Sequence, residues 1–369
     1  MADTPFNFEF INENFTLEGD YKSYEVMNNG HINSTYVLTF ACGEKEHRYV
    51  LQQINTNIFK DVDSLMNNIV GVTQHLRNAI IKNGGDEKRE TLNFIPTKSG
   101  KYYCVDSRGA SWRLYHHVGD VYTCNQIDSE DVFYNSGKAF GSFQKSLADY
   151  PIDTLVETIP NFHNTFSRFN DLKKAIAENK AGRRDNVSAE IEFSLNREAD
   201  TKVLTALIDE GKLPLRVTHN DTKLNNILFD DKTNEGICII DLDTVMPGLS
   251  LYDFGDSIRF GANTASEDEK DVSKVSLSLS LYEAYVKGYL STAKESLTDC
   301  EIEYLPFSAK MMTYECGIRF LTDYLNGDTY FKTAYPEHNL VRCRTQLALV
   351  ADIEKKMNEM KKITMDAAK

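Results

Sequence analysis

The stretch that most constrains this chain runs His219-Asn220-Asp221-Thr222-Lys223-Leu224-Asn225-Asn226 and is followed by Ile239-Ile240-Asp241-Leu242-Asp243. Two short apolar runs, Asn226 to Phe229 and Gly236 to Leu242, flank the turn-rich Asp230-Asp231-Lys232-Thr233-Asn234-Glu235 and predict a β-hairpin. A hairpin brings its two ends together, which sets Asp241 beside Asn226. The loop entering the first strand presents Asp221 from five residues upstream. The next segments on both sides read as helix, so this polar loop and hairpin are an island that fixes how these side chains meet.

The residue types in that pattern suit phosphoryl transfer. Asp221 can accept the proton of a hydroxyl acceptor as a general base. Asn226 and Asp241 offer hard oxygen ligands, which, with phosphate oxygens and water, suit Mg²⁺. Lys223, two residues after Asp221, can reach the transferring phosphoryl group as a point charge. The His-x-Asp then Asn order matches the catalytic-loop pattern of protein kinases. His219 is expected to brace the loop. Asp253-Phe254-Gly255 resembles a kinase metal-binding triplet, but it follows Pro247-Gly248-Leu249-Ser250 and opens a helix. Asp253 is therefore expected to cap that helix or to bond the catalytic-loop backbone.

The first third reads as strands. Tyr21–Asn28, Asn33–Phe40 and His47–Ile54 form a predicted meander punctuated by Asn29-Gly30-His31-Ile32 and by Ala41 to Glu46. Val62, Leu65, Met66, Ile69, Val70, Leu76 and Ile80 recur at helical spacing until Gly84-Gly85. Lys101–Asp106 and Ser111–His117 are two further strands. Three strands, one helix and two strands make the small lobe of a protein-kinase-like fold. Beyond it the chain turns helical, over 131–150, over 171–212 with a break at Gly182-Arg183-Arg184, and over 272–290 and 301–361. The expectation is a bilobal α+β fold, with a β-rich nucleotide-binding lobe at 1–117 and a helical catalytic lobe at 118–369.

In the small lobe, Gly30, His31 and Asn33 sit where a phosphate-covering loop belongs. The third strand usually carries the phosphate-binding Lys, as in Val-Ala-Ile-Lys. Here it reads Tyr49-Val50-Leu51-Gln52-Gln53, so Gln52 takes that place, without charge, and the usual helix carboxylate partner is unassigned. Trp112 to Val118, including His117, suits the hinge whose backbone would bond adenine; a plain buried strand suits the same residues equally. The single Trp lies at the predicted small-lobe edge.

The chain has 369 residues, 41% hydrophobic, with 20 Phe and 19 Tyr, enough for a sizeable core. The formal net charge of −14 argues against nucleic acid as a partner. Seven cysteines without a CxxC indicate neither a zinc site nor a disulfide framework. Met1-Ala2-Asp3-Thr4-Pro5 does not read as a signal peptide, and no apolar run approaches the ~18 residues of a spanning helix. These features lead us to expect a cytoplasmic, membrane-free protein, monomeric and served by small molecules.

The chain resembles the aminoglycoside phosphotransferase and choline kinase family and, more closely, the bacterial N-acetylhexosamine 1-kinases. The stretches that carry the resemblance are Gly30 to Asn33, Leu51-Gln52-Gln53, Arg216 to Asn226, Ile240 to Thr244, Tyr252 to Gly261, Glu315-Cys316-Gly317, Arg319-Phe320 and Tyr335 to Leu340. Gln in the Lys place is itself similar to that group. The resemblance implies ATP-dependent phosphorylation of the anomeric hydroxyl of N-acetylglucosamine or N-acetylgalactosamine. It implies Asp221 as base, Asn226 and Asp241 as Mg²⁺ ligands, and Arg319 and Tyr330 as sugar contacts. An internal ion pair and a packed aromatic are equally open for those last two. Asp243 is placed either in the metal shell or facing the sugar. The rival readings are another hydroxyl acceptor (an aminoglycoside, choline or a different sugar) and a non-catalytic nucleotide-binding protein.

Overall fold

Alternation along the first strands sorts their side chains to two faces. The computed structural model describes residues 5–27, 33–127 and 129–369. It opens with α1 (Phe8–Asn14) and the meander β1 (Asp20–Met27), β2 (Ser34–Cys42) and β3 (Lys45–Ile54). Helix α2 (Val62–Lys82) follows, capped by Asp61, whose carboxylate accepts from the Ser64 N–H. Strands β4 (Cys104–Val105) and β5 (Ser111–His116) complete a five-stranded sheet in the order β1-β2-β3-β5-β4. On one face Tyr36, Leu38, Phe40, Tyr49, Leu51, Trp112 and Leu114 pack with Phe6, Ile11 and Phe15. On the other, Thr35, Val37, Arg48, Val50, Gln52, Arg113 and Tyr115 wall a cleft.

A short strand β6 (Val121–Tyr122) leads into helix α3 (Glu130–Ser146). Helices α4 (Thr165–Glu178), α5 (Ser188–Leu195) and α6 (Val203–Asp209) come next, then the strand β7 (Arg216–Thr218). The hairpin is β8 (Ile227–Asp230) and β9 (Gly236–Ile239), with β6 added to its edge. Strand β10 (Met246–Gly248) pairs with β7. Helices α7 (Ser250–Gly261), α8 (Leu279–Ala293), α9 (Asp299–Asn326) and α10 (His338–Ala367) close the chain. Among the described residues, no helix is long and apolar enough to cross a membrane.

Several expected elements are revised. Strand 101–106 shrinks to Cys104–Val105, because the chain turns back at Thr97, whose N–H donates to the Lys101 carbonyl. Trp112 is not at an edge: β5 lies inside β4, the ring is 1% exposed, and its indole N–H donates to Asp106. The 171–212 stretch is three helices joined by single 3₁₀ turns at Arg184–Val187 and Glu198–Lys202. The 272–290 stretch is one turn at Val272–Lys274 and then α8. The 301–361 stretch is two helices, divided where Gly327, at φ 96°, ends α9 in the left-handed region.

Candidate active site

The loop between β7 and β8 takes its shape from groups outside it. Asp253, buried in the first turn of α7, accepts from two consecutive loop N–H groups, His219 at 2.8 Å and Asn220 at 2.7 Å. Its second role is through its backbone, whose carbonyl accepts from the Thr222 hydroxyl at 2.7 Å. Of the two roles expected for Asp253, the structure shows the loop-bonding one. Asn220 stands in the left-handed region at φ 65°, and its side-chain amide donates to the Thr244 carbonyl at 2.8 Å. Asparagine tolerates that conformation better than most residues. The Asn220 carbonyl faces Nε2 of His163 at 3.1 Å, and Nδ1 of His163 faces Glu315 on α9 at 2.8 Å.

His219 is fully buried and edge-on to Phe140 and Phe143. Its Nε2 lies 2.8 Å from the Ile240 carbonyl, which only accepts, so the ring hydrogen is there. Nδ1 then accepts from the Asp221 N–H at 3.2 Å. The ring thus joins the loop to the return strand of the hairpin and holds the backbone of Asp221.

Asp221 is partly exposed, with Lys223 Nζ 2.8 Å from its carboxylate. Burial works against the Lys223 charge, but Asp221 more than offsets it and the ammonium is held above its ordinary range. The Asn226 amide nitrogen donates to the Asp221 carbonyl at 2.8 Å, which leaves its side-chain oxygen as the group to offer a cation. Across the hairpin, the Ile240 N–H donates to the Asn226 carbonyl at 2.9 Å and brings Asp241 alongside. Asp241 itself adopts the left-handed region, at φ 58° and ψ 55°. Burial, then the like charges of Asp243 and Asp221, push its carboxyl up to about 6. That is a donor set of hard oxygens under electrostatic stress, which a divalent cation would relieve. Among the described residues, no three carboxylate, His or Cys groups converge on one metal position. A Mg²⁺ here would take the rest of its ligands from phosphate and water.

Asp221 and Lys223 line neither of two cavities that the other described site residues wall. Asn33, Gln52, His117, Asn226, Asp241 and Asp243 wall a cleft of about 560 Å³ between the five-stranded sheet and the hairpin. Arg319 and Tyr330 wall a second cavity of about 300 Å³ beside α4 and α9. The Arg319 guanidinium lies 5.5 Å from the Phe162 ring, 5.6 Å from Phe331 and 6.0 Å from Tyr330. Among the described residues no carboxylate lies within ion-pair distance of it. Asp323 fixes the turn that carries Tyr330, accepting from the N–H groups of Thr329, Tyr330 and Phe331. The Tyr330 side chain is left 69% exposed. Phe162 stands beside Arg319, and the next residue, His163, faces the Asn220 carbonyl, which links the wall of this cavity to the loop. Gly30 and His31 lie outside the described residues.

A profile of the phosphotransferase enzyme family matches residues 111–297, just over half of the chain and all of the loop and hairpin. The chain belongs to that family. Solved structures share its fold. An aminoglycoside phosphotransferase from Alicyclobacillus acidocaldarius is 13% identical over 97% of this chain and 98% of that one, with a TM-score of 0.57. A spectinomycin phosphotransferase in complex with ADP and spectinomycin is 12% identical over 94% and 98%, with a TM-score of 0.55. A Plasmodium vivax ethanolamine kinase is 14% identical over 93% and 84%, with a TM-score of 0.54.

In this phosphotransferase, one cleft residue escaped the sequence reading. Arg113, on β5, is 2% exposed, with Nη1 2.5 Å from Asp243. Burial opposes its charge, and Asp243 more than offsets that, holding the guanidinium above its ordinary range. The signal was there to find. In Trp112-Arg113-Leu114-Tyr115 a charge alternates with residues that face the core, on a strand otherwise fit for burial. Asp243, expected near the metal or the sugar, is itself buried against Arg113 and the Asn33 amide.

Proposed function

We propose that this phosphotransferase is an ATP-dependent kinase acting on the anomeric hydroxyl of N-acetylglucosamine or N-acetylgalactosamine. The products are the sugar 1-phosphate and ADP. The observation that carries the reading is that the loop and hairpin hold Asp221, Asn226 and Asp241 together, through the Asn226 amide on the Asp221 carbonyl and the N–H of Ile240, the residue before Asp241, on the Asn226 carbonyl. In this reading Asp221 accepts the C1 hydroxyl proton while that oxygen bonds to the γ-phosphorus and the bond to the bridging oxygen of ADP breaks. A hemiacetal hydroxyl is more acidic than an ordinary alcohol, which suits a carboxylate base. Lys223 faces the transferring group. Mg²⁺, held by Asn226 and Asp241, would supply charge neutralisation at the phosphates. Residues 1–117 would serve the nucleotide and 118–369 the acceptor.

The second cavity favours a neutral polar acceptor. Choline, ethanolamine and aminoglycosides are cations, and the cavity's four cations, Arg168, Lys174, Lys180 and Arg319, outnumber its three carboxylates, Asp171, Glu178 and Asp323, the last already taken up by backbone N–H groups, so the cavity disfavours them. A sugar hydroxyl or acetamide oxygen can accept from the Arg319 guanidinium, and the exposed Tyr330 ring can stack on the sugar face. A coupled ADP-release assay with both N-acetylhexosamines, choline, ethanolamine and an aminoglycoside tests this. Turnover is expected with an N-acetylhexosamine; no ADP above the no-acceptor control with either would overturn the reading.

A further inference from the structure

The sheet face that walls the large cleft carries two cations, Arg48, partly exposed and paired with Glu25, and Arg113, which is buried and has no task in the reaction above. Arg113 stands directly opposite Gln52 in the β3–β5 register. Its Nε and Nη2 donate to the Gln52 side-chain oxygen at 2.9 and 2.8 Å. The Gln52 amide nitrogen donates in turn to the Thr35 hydroxyl at 3.1 Å, which fixes the amide with its oxygen toward the arginine. Nη1 meets one oxygen of Asp243, and the other oxygen accepts from the Asn33 amide at 2.6 Å. The Asn33 oxygen accepts from the Asn55 N–H at 3.0 Å. Gln52 on β3 and Asp243 after the hairpin thus hold the guanidinium, and Thr35 on β2 and Asn33 hold those two in turn.

A buried ion pair is an expensive way to fill a strand position, since apolar residues of similar volume often serve stability as well or better. Helix α2 touches the guanidinium only through Met66 Sδ, at 3.9 Å, and offers no alternative carboxylate: its one acidic residue, Asp63, is exposed and pairs with Lys101. Arg113 and Gln52 wall the same cleft as Asn226 and Asp241. The guanidinium is planar and can grip two phosphate oxygens at once.

We propose that Arg113 is the cation that binds the α- and β-phosphates of the nucleotide, reaching them from β5 where other kinases use a lysine on β3. Gln52 aims the guanidinium, and Asp243 neutralises it while the cleft is empty. The inference rests on the nucleotide-kinase reading and deepens it.

Calorimetric titration of the full chain with Mg·ADP and, separately, with adenosine tests it. Adenosine keeps the base and ribose but has no phosphate. For Arg113→Met, the Kd for Mg·ADP is expected to rise roughly 10- to 100-fold, as for a lost hydrogen bond to a charged group. Adenosine binding is expected to stay within about 2-fold of wild type. Returning the charge to β3 in the double variant Arg113→Met/Gln52→Lys is expected to restore much of the Mg·ADP affinity. If Arg113→Met does not fold, Arg113→Lys keeps the charge and loses the fork. Its expected loss, about 3- to 10-fold, is again confined to Mg·ADP. Equal losses for both ligands would make Arg113 a purely structural residue and overturn the proposal, as would unchanged Mg·ADP binding. A wild-type protein that binds adenosine and Mg·ADP equally well would also overturn it. Binding of neither by wild type would instead overturn the kinase reading on which it rests.

Discussion

Asp221 has two neighbours that do different work: Lys223 touches its carboxylate, while His219 and Asn226 hold its backbone. Asp221→Asn keeps the size and the backbone bonds and removes the basic oxygen. Turnover is expected to fall by about 10²- to 10⁴-fold, the usual worth of a general base. Nucleotide affinity is expected to stay near wild type, because Asp221 is not among the residues that wall the large cleft. Steady-state rates and a calorimetric titration on the same protein check both halves. An Asp221→Asn enzyme that turns over normally would remove the base assignment. The sequence was informative at this position because the chemistry needs a carboxylate, an amide and a second carboxylate at a spacing only a loop and hairpin provide. At Arg113 it offered only a charge on a strand otherwise fit for burial, because the contact that gives that arginine meaning comes from Asp243, far along the chain.

At the scale of elements, α7 is the piece on which the site leans. Its Asp253-Phe254-Gly255 triplet divides three tasks. Asp253 holds the loop, Phe254 packs against Tyr285 and Tyr289, and Gly255 lets α7 approach α9. A Cβ at Gly255 would lie 2.5 Å from the Ser308 carbonyl, which is backbone and has little room to give. Gly255→Ala is therefore expected to destabilise the protein by about 1–3 kcal/mol, the range for overpacking. Urea unfolding followed by circular dichroism measures it, and a stability equal to wild type would show that the two helices separate freely. Strand and helix identities were largely legible, since the period-two and helical patterns survive in the sheet and in α2, α3 and α8. Boundaries were less so. The division of 301–361 into α9 and α10 depends on Asp323 gathering three N–H groups of the turn after Gly327, a local bond pattern with no periodic signature.

For the whole molecule, pH acts through carboxylates of two kinds. Glu301 is buried, which alone would raise it, but Arg216, the Thr298 N–H and the Ser250 hydroxyl hold it below its ordinary range. Asp230 is drawn down to about 2 by the N–H groups of Thr233 and Lys232 and by Arg89. Groups depressed in the folded state add stability above their unfolded pKa of about 4 and lose it as pH falls through the lower folded value. Asp241, raised to about 6, acts in the opposite sense: its penalty is present at neutral pH and fades as pH drops through that value. The urea midpoint is therefore expected to hold or rise slightly from pH 7 to 5 and to fall steeply from about pH 4 to 2. Glu301→Gln should flatten the acid limb, and an unchanged slope there would exclude Glu301 as a contributor. The grip of Asp253 on two catalytic-loop N–H groups has a consequence for engineering. Because the instructions for the loop's shape are written in α7, transplanting residues 219–226 into another scaffold would carry the reactive groups without their geometry. A graft that functions must bring the helix with it.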